Sequence, residues 1–309
     1  MTSAPRIQGV LSPVLTPFNA DYAPATDRFL RHCRWLLDQD VGLAIFGTNS
    51  EANSLSVSEK IGLLETLLEA GLPAARMMPG TGACALPDTI ELTRRAVKAG
   101  CAGVLMLPPF YYKGVSDEGL YRAYASVIEG VADERLRIYL YHIPPVAQVP
   151  ISLDLIERLL KAYPGTIAGV KDSSGDWKNT AAMLERFQPR GFDVFCGSES
   201  FLLATMRGGG AGCITATGNV NPGPIVQLHR TWQQADADAQ QKALDQTRAR
   251  FGAYVMIPAM KAAIATQSGN PAWATVRPPL VELDGDQRAA LDKSLADIGF
   301  AMPGATALG

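Results

Sequence analysis

The sequence predicts an α/β fold, a (β/α)8 barrel of the TIM type with a helical extension at its C-terminus. Three observations carry that expectation. Short apolar runs alternate with longer amphipathic stretches along most of the chain. The apolar runs are continuous, as expected of parallel strands whose sheet is covered by helices. Eight such units occur, which favours a closed barrel over an open doubly wound sheet.

The runs, in order, are "GVLSPVLTPF", "VGLAIFG", "RMMPG", "AGVLMLPP", "RIYLYHIP", "TIAGVK", "FDVFCG" and "GCITATG". Between them lie the helical patterns "TDRFLRHCRWLLDQD", "SVSEKIGLLETLLEA", "LPDTIELTRRAVKAG", "SDEGLYRAYASVIEGV", "SLDLIERLLKAY", "DWKNTAAMLERF" and "SESFLLATMRGGG". Several open on Ser, Thr or Asp and several close on Gly, the residues that satisfy orphaned backbone groups at helix ends. From about Ala235 the patterns are helical only: "ADAQQKALDQTRARFGAYV", "PAMKAAIATQSG" and "GDQRAALDKSLADIGF". They read as helices packed beside a barrel, not as a second catalytic domain, giving a barrel over 1–230 and packed helices over 231–309. The terminal "MPGATALG" reads as a loose tail.

Composition excludes several function classes. The chain has 309 residues, 47% hydrophobic and 19% charged, with a formal net charge of −2. That balance offers no basic face for nucleic acid and no polybasic anchor for a membrane. No apolar run reaches the length of a membrane span. The start, "MTSAPRIQGVLSPVLTPF", lacks a charged leader before a long apolar core, so no signal peptide is expected. Cys33, Cys84, Cys101, Cys196 and Cys213 are odd in number and form no CxxC pair. Buried free thiols in a reducing cytoplasm are the expectation.

The stretch "TIAGVKDSSGDW" ends an apolar run on Lys171. A lysine there either snorkels to solvent or presents a neutral, nucleophilic amine. Catalytic groups of such barrels sit at the C-terminal ends of strands, and Lys171 ends the sixth run. Other run ends supply Thr48 and Asn49 in "FGTNSEANS", Tyr111 and Tyr112 in "LPPFYYKG", and Tyr141 in "YLYHIPP". An amine that loses hydration in an apolar mouth has a lowered pKa and attacks a carbonyl to form an iminium. A phenol carries protons in both directions and a threonine hydroxyl links two phenols. Backbone N–H groups of the Thr48–Asn49 loop suit a carboxylate. The set describes a class I aldolase acting on a small-molecule 2-oxo acid. A metal-dependent aldolase is disfavoured, because His32, His142 and His229 show neither HxH nor HxxxH spacing.

Six segments in order then resemble the dihydrodipicolinate synthase and N-acetylneuraminate lyase superfamily over nearly the whole chain. They are "VLTPF", "GTNSE" for the family's Gly-Thr-Thr-Gly-Glu loop, "PPFYY…EGLYRAY", "YHIP", "GVKDSSGD" and "VRPPLVEL". The resemblance implies a (β/α)8 barrel with C-terminal helices, in the family usually a homotetramer built as a dimer of dimers; no cofactor and no metal are expected. It implies Lys171 as the Schiff-base residue and Tyr141 as the proton-transferring phenol. Thr48 and one of the tandem tyrosines complete the relay, that tyrosine entering from a neighbouring subunit. Register with Ser116 and "EGLY" assigns the role to Tyr112, with Tyr111 stacked at the interface.

Departures from the family pattern bear on the substrate. Val146 stands where dihydrodipicolinate synthases carry a carboxylate-gripping arginine, and a valine cannot form that bidentate pair. Asn49 replaces the second threonine and still donates to a carboxylate. His142 replaces the usual asparagine and reads as a packed histidine facing away from Tyr141. Glu199 in "FCGSESF" matches a segment that presents carboxylates to sugar hydroxyls in sialic acid lyases; helix capping by Ser198 and dipole compensation by Glu199 are an equal alternative. Ile214 and Thr215 of the eighth run join Asn49 and Glu199 as expected substrate-binding residues. The run "MRGGGAGCIT" reads as a helix stop and strand entry, not a phosphate cradle.

Overall fold

The computed structural model describes residues 6–309. The strands among them are β1 (Gly9–Ser12), β2 (Gly42–Leu43), β3 (Val104–Met106), β4 (Ile138–His142), β5 (Ile167–Asp172), β6 (Asp193–Cys196) and β7 (Gly212–Ile214). The α-helices are α1 (Thr26–Asp38), α2 (Val57–Glu69), α3 (Leu86–Lys98), α4 (Asp117–Val131), α5 (Pro144–Ala147), α6 (Leu153–Ala162), α7 (Trp177–Phe187) and α8 (Leu202–Arg207). They continue with α9 (Pro222–Thr231), α10 (Ala237–Gly252), α11 (Met256–Ser268) and α12 (Gly285–Ala296). The chain divides into two compact units, one of residues up to Gly9 with Pro73–Ile214, the other of Val10–Leu72 with Thr215–Gly309. Among the described residues no helix is long and apolar enough to cross a membrane.

In the first unit the strands run parallel in the order β7-β6-β5-β4-β3. Side chains of a strand alternate between faces. Accordingly Val104, Met106, Ile138, Leu140, Val170 and Val194 join the buried cluster with Leu120, Tyr124, Val127, Leu155, Ile156 and Met183 of the helices. Tyr139, Tyr141, Gly169, Lys171 and Phe195 occupy the alternate positions. Ser116, Ser152 and Asp176 accept hydrogen bonds from the first turns of α4, α6 and α7, as the sequence led us to expect.

The third apolar run departs from expectation. "RMMPG" forms no strand; its regular element is a single parallel bridge, Gly80 to Leu105. It nevertheless lies along β3, with Leu105 N donating to Pro79 O at 2.8 Å and Thr81 N to Leu105 O at 3.0 Å. Pro79 has no N–H to offer a ladder, which accounts for the broken strand. Among the described residues seven strands therefore stand where eight were expected, and Lys171 lies on β5, the fifth of them.

In the second unit β1 pairs parallel with β2, Leu11 opposite Gly42 and Ser12 opposite Leu43. The three C-terminal patterns form α10, α11 and α12, and α11 is buried from Pro258 through Ala265. The terminal segment is not a loose tail. Ala305–Leu308 forms a 3-10 turn, Leu308 is fully buried, and its carbonyl accepts the Trp273 indole N–H at 2.9 Å. Trp35 likewise donates to Pro303 O at 3.0 Å. Two indole donors that need partners hold the chain end in place.

Candidate active site

The register of β4 and β5 sets Tyr141 opposite Lys171. Paired residues of adjacent strands project from the same face, so phenol and amine meet. Lys171 Nζ donates to Tyr141 Oη at 3.2 Å and stands 4.3 Å from the ring centroid. Both residues are 2% exposed. Lys171 therefore does not snorkel to solvent. A polar group buried this deeply is costly without a partner, and the phenol supplies a hydrogen bond.

The floor beneath this pair is aromatic. The Tyr139 ring meets Phe195 edge-on at 5.8 Å, and its hydroxyl donates to Asp193 at 3.1 Å. Arg6 lies 3.3 Å from the same carboxylate. Glycine is required on both flanks: a Cβ on Gly169 would stand 2.7 Å from the ring and 2.4 Å from Asp193 O, and one on Gly103 2.7 Å from the ring. Burial pushes the Tyr139 hydroxyl far above the usual phenol range, and the Asp193 carboxylate adds to it.

On the opposite face, His142 pairs in register with Asp172. His142 Nδ1 accepts the Ile151 N–H at 3.0 Å, and burial lowers the imidazole pKa while the Asp172 charge opposes it. Asp172 accepts from Ser174 N at 3.0 Å, Ser174 Oγ at 3.1 Å and Thr180 Oγ1 at 2.6 Å. His142 is thus a packed residue behind the Tyr141 strand, as read from its alternation.

Beyond β6, Ser198 Oγ accepts the Ser200 N–H at 3.2 Å, capping a 3-10 turn that opens on Glu199. Glu199 is 1% exposed, so its carboxylate faces the interior. Cys196 and Cys213 oppose one another on β6 and β7. The Cys213 thiol is held well above its ordinary range, first by a hydrogen bond with the Cys196 thiol, then by burial and the Glu199 charge, with Lys171 acting against these. The charges of Glu199 and Lys171 both act on this thiol, and buried Ile214 follows Cys213 on β7. Between β6 and β7, "MRGGG" ends α8 at Arg207 with Gly209 at φ +80°, a helix stop as read.

Tyr111 and Tyr112 are 72% and 73% exposed and pack edge to face at 5.3 Å. Val146, on α5, is also exposed. The Lys113 amine of this loop donates to the carbonyls of Phe110 and Ala147, the latter at 2.7 Å.

In the second unit, Thr48 and Asn49 open a 3-10 turn, Thr48–Ser50, and both are half-buried. Glu51 follows in the left-handed region at φ +56°. Sequence reasoning quoted Glu51 in "GTNSE" but did not find its partners. Its carboxylate pairs with Lys261 of α11, both side chains buried, and accepts the Arg277 backbone N–H at 3.0 Å. Lys261 also donates to Thr275 O at 2.9 Å and stands 4.5 Å from the Phe18 ring. Burial lowers the Lys261 pKa to about 8, with Glu51 opposing the fall. The available signal was a single lysine in the otherwise apolar "PAMKAAIA". Thr215, fully buried after β7, lies 3.4 Å from the Arg248 guanidinium of α10.

The model of the dihydrodipicolinate synthetase family matches residues 6–298. An uncharacterized DapA-like lyase of Chloroflexus aurantiacus is 33% identical over 287 residues, covering 92% of this chain and 94% of that protein. The crystal structure of dihydrodipicolinate synthase from Agrobacterium tumefaciens superposes with a TM-score of 0.87 at 27% identity, over 94% of this chain and 99% of that one. A prophage protein of the dihydrodipicolinic acid synthase family from E. coli K12, solved with pyruvate, gives 0.86 at 26% identity over 95% and 99%. The fold is the (β/α)8 barrel that the alternating pattern predicted. The chain belongs to the dihydrodipicolinate synthetase family and is, with it, a lyase of the Schiff-base-forming class I aldolase type.

Proposed function

We propose that this lyase cleaves a 2-oxo-3-deoxy sugar acid, or a related 4-hydroxy-2-oxo acid, to pyruvate and an aldehyde, and condenses them in reverse. One observation carries the reading: a buried lysine amine 3.2 Å from a buried phenol. In this reading the Lys171 amine adds to the 2-oxo carbon and water leaves, giving an iminium. The 4-hydroxyl loses its proton to the relay of Tyr141, Thr48 and Tyr112. The C3–C4 electron pair moves into the iminium as the aldehyde departs. The enamine is then protonated at C3, and water releases pyruvate and restores the amine.

Asn49 and the turn it shares with Thr48 receive the 2-oxo acid carboxylate. Ile214, Glu199 and Thr215 line the acceptor end. Val146 in place of arginine supports a neutral polyol chain there over a second acid group, because the bidentate grip is missing and Lys113 is engaged by carbonyls. Two exposed tyrosines support a Tyr112 that acts in a neighbouring subunit of a homotetramer.

The test joins two measurements. Borohydride with pyruvate should add mass to the peptide containing Lys171 and to no other. Coupled pyruvate detection on a panel of 2-oxo-3-deoxy acids should then find release. Loss of water without pyruvate would assign dehydration through the same iminium, and preference for aspartate semialdehyde as acceptor would assign dihydrodipicolinate synthesis. Labelling elsewhere, or none with several 2-oxo acids, overturns the mechanism.

A further inference from the structure

We infer that the buried Glu51–Lys261 pair is a positioning device for the Thr48–Ser50 turn, so that helix α11, far along the chain, sets the geometry of substrate binding. The inference rests on the reading above, in which that turn receives the carboxylate and supplies the Thr48 hydroxyl. Glu51 closes the turn by donating its backbone N–H to Thr48 O at 3.1 Å. Its left-handed backbone, φ +56° and ψ 33°, redirects the chain immediately after the turn. The carboxylate is fixed at both oxygens, one by the Lys261 ammonium and the other by the Arg277 N–H at 3.0 Å. Lys261 is in turn tied to Thr275 O, and the Arg277 guanidinium to Glu59 and to the carbonyls of Tyr22 and Ser54. On the near side Thr16 Oγ1 donates to Ser50 O at 2.8 Å, and Gly47 N to Ser50 Oγ at 3.1 Å. The turn is therefore clamped at both ends, and its far clamp is ionic.

A buried ion pair is a weak source of net stability, since desolvation of both charges offsets their attraction. Its strength is geometric: two charges with satisfied hydrogen bonds admit one arrangement. Glu51 and Lys261, at 4% and 0% exposure, are shut off from bulk solvent.

The test shortens the arm and keeps the charge. Glu51→Asp tolerates the left-handed backbone at least as well as glutamate. It withdraws the carboxylate by about one bond length, and a misplacement near 1 Å is worth up to about 100-fold. We expect KM for the 2-oxo acid to rise and kcat to fall together, kcat/KM dropping roughly 10- to 100-fold. The thermal midpoint should stay within a few degrees, and borohydride should still trap pyruvate on Lys171. The double variant Glu51→Gln/Lys261→Met removes both charges without leaving one buried alone. It should fold and show the same kinetic loss.

Wild-type kcat/KM in folded Glu51→Asp overturns the proposal. If Glu51→Asp does not fold, the double variant decides. Its failure to fold, or wild-type kcat/KM in it, overturns the proposal, because the pair then serves stability alone. Absence of Lys171 labelling in the unaltered enzyme is a distinct result, which overturns the iminium reading and this proposal together.

Discussion

Replacing Tyr141 by phenylalanine removes one oxygen from the centre of the site and leaves the ring, the strand and the lysine in place. The hydroxyl accepts from Lys171 Nζ at 3.2 Å, and both residues are 2% exposed, so bulk water does not replace it. An ordinary hydrogen bond contributes about 0.5–1.5 kcal/mol, about 2- to 13-fold in rate. Loss of a positioned general acid–base costs about 100- to 10,000-fold. The two effects share one atom and do not add, so kcat should fall about 100- to 1,000-fold. KM for the 2-oxo acid should change little, because the proposed reading gives its carboxylate to the Thr48–Asn49 turn. The ring face, 4.3 Å from the amine, remains. Borohydride trapping with pyruvate should therefore reach the same final stoichiometry at Lys171 but more slowly. The assay is coupled pyruvate release for kcat and KM, with intact-mass analysis of trapped enzyme over time. A kcat within about threefold of wild type would refute the relay role of this phenol. Trapping that stays fast while kcat collapses would place the phenol after iminium formation only.

Two further outcomes follow from other parts of the molecule. His32 lies fully buried between Trp35 and Trp273, with Nε2 3.0 Å from Asn219 Oδ1, and burial lowers its pKa to about 4. The unfolded imidazole takes its proton near pH 6.5, so the unfolded state binds more protons between about 6.5 and about 4, and stability falls as pH falls through that window. The full loss is about 3 kcal/mol, at about 1.4 per pKa unit. His32→Gln should therefore lose less of its thermal midpoint than wild type on going from pH 7 to pH 5; an identical loss would refute the assignment. For Tyr112, mixing inactive Lys171→Ala and Tyr112→Phe proteins under subunit exchange should restore some activity if sites are shared between chains. A fully active monomer would contradict that reading.

The sequence by itself determined the alternation of strand and helix, the helix caps and the family. Each of these is written in residues close together along the chain, as with Ser116, Ser152 and Asp176 opening their helices. It also singled out Lys171 and Tyr141 as an amine and a phenol at two run ends, and these are the side chains that meet at 3.2 Å. It overcounted the strands, because apolar content in "RMMPG" marks burial and cannot report that Pro79 interrupts a ladder whose other half lies on β3. It called the last residues a tail because indole donors on Trp35 and Trp273 are invisible without knowing what passes beside them. The same reason hid the Glu51–Lys261 pair. Separated by 210 residues, the two charges meet only when α11 packs against the turn, and no local pattern records a contact that long. Alternation already set His142 on the face opposite Tyr141, but only tertiary structure decided that Tyr141 meets Lys171 and His142 meets Asp172, because the register of β4 on β5 depends on how both strands bury their faces together.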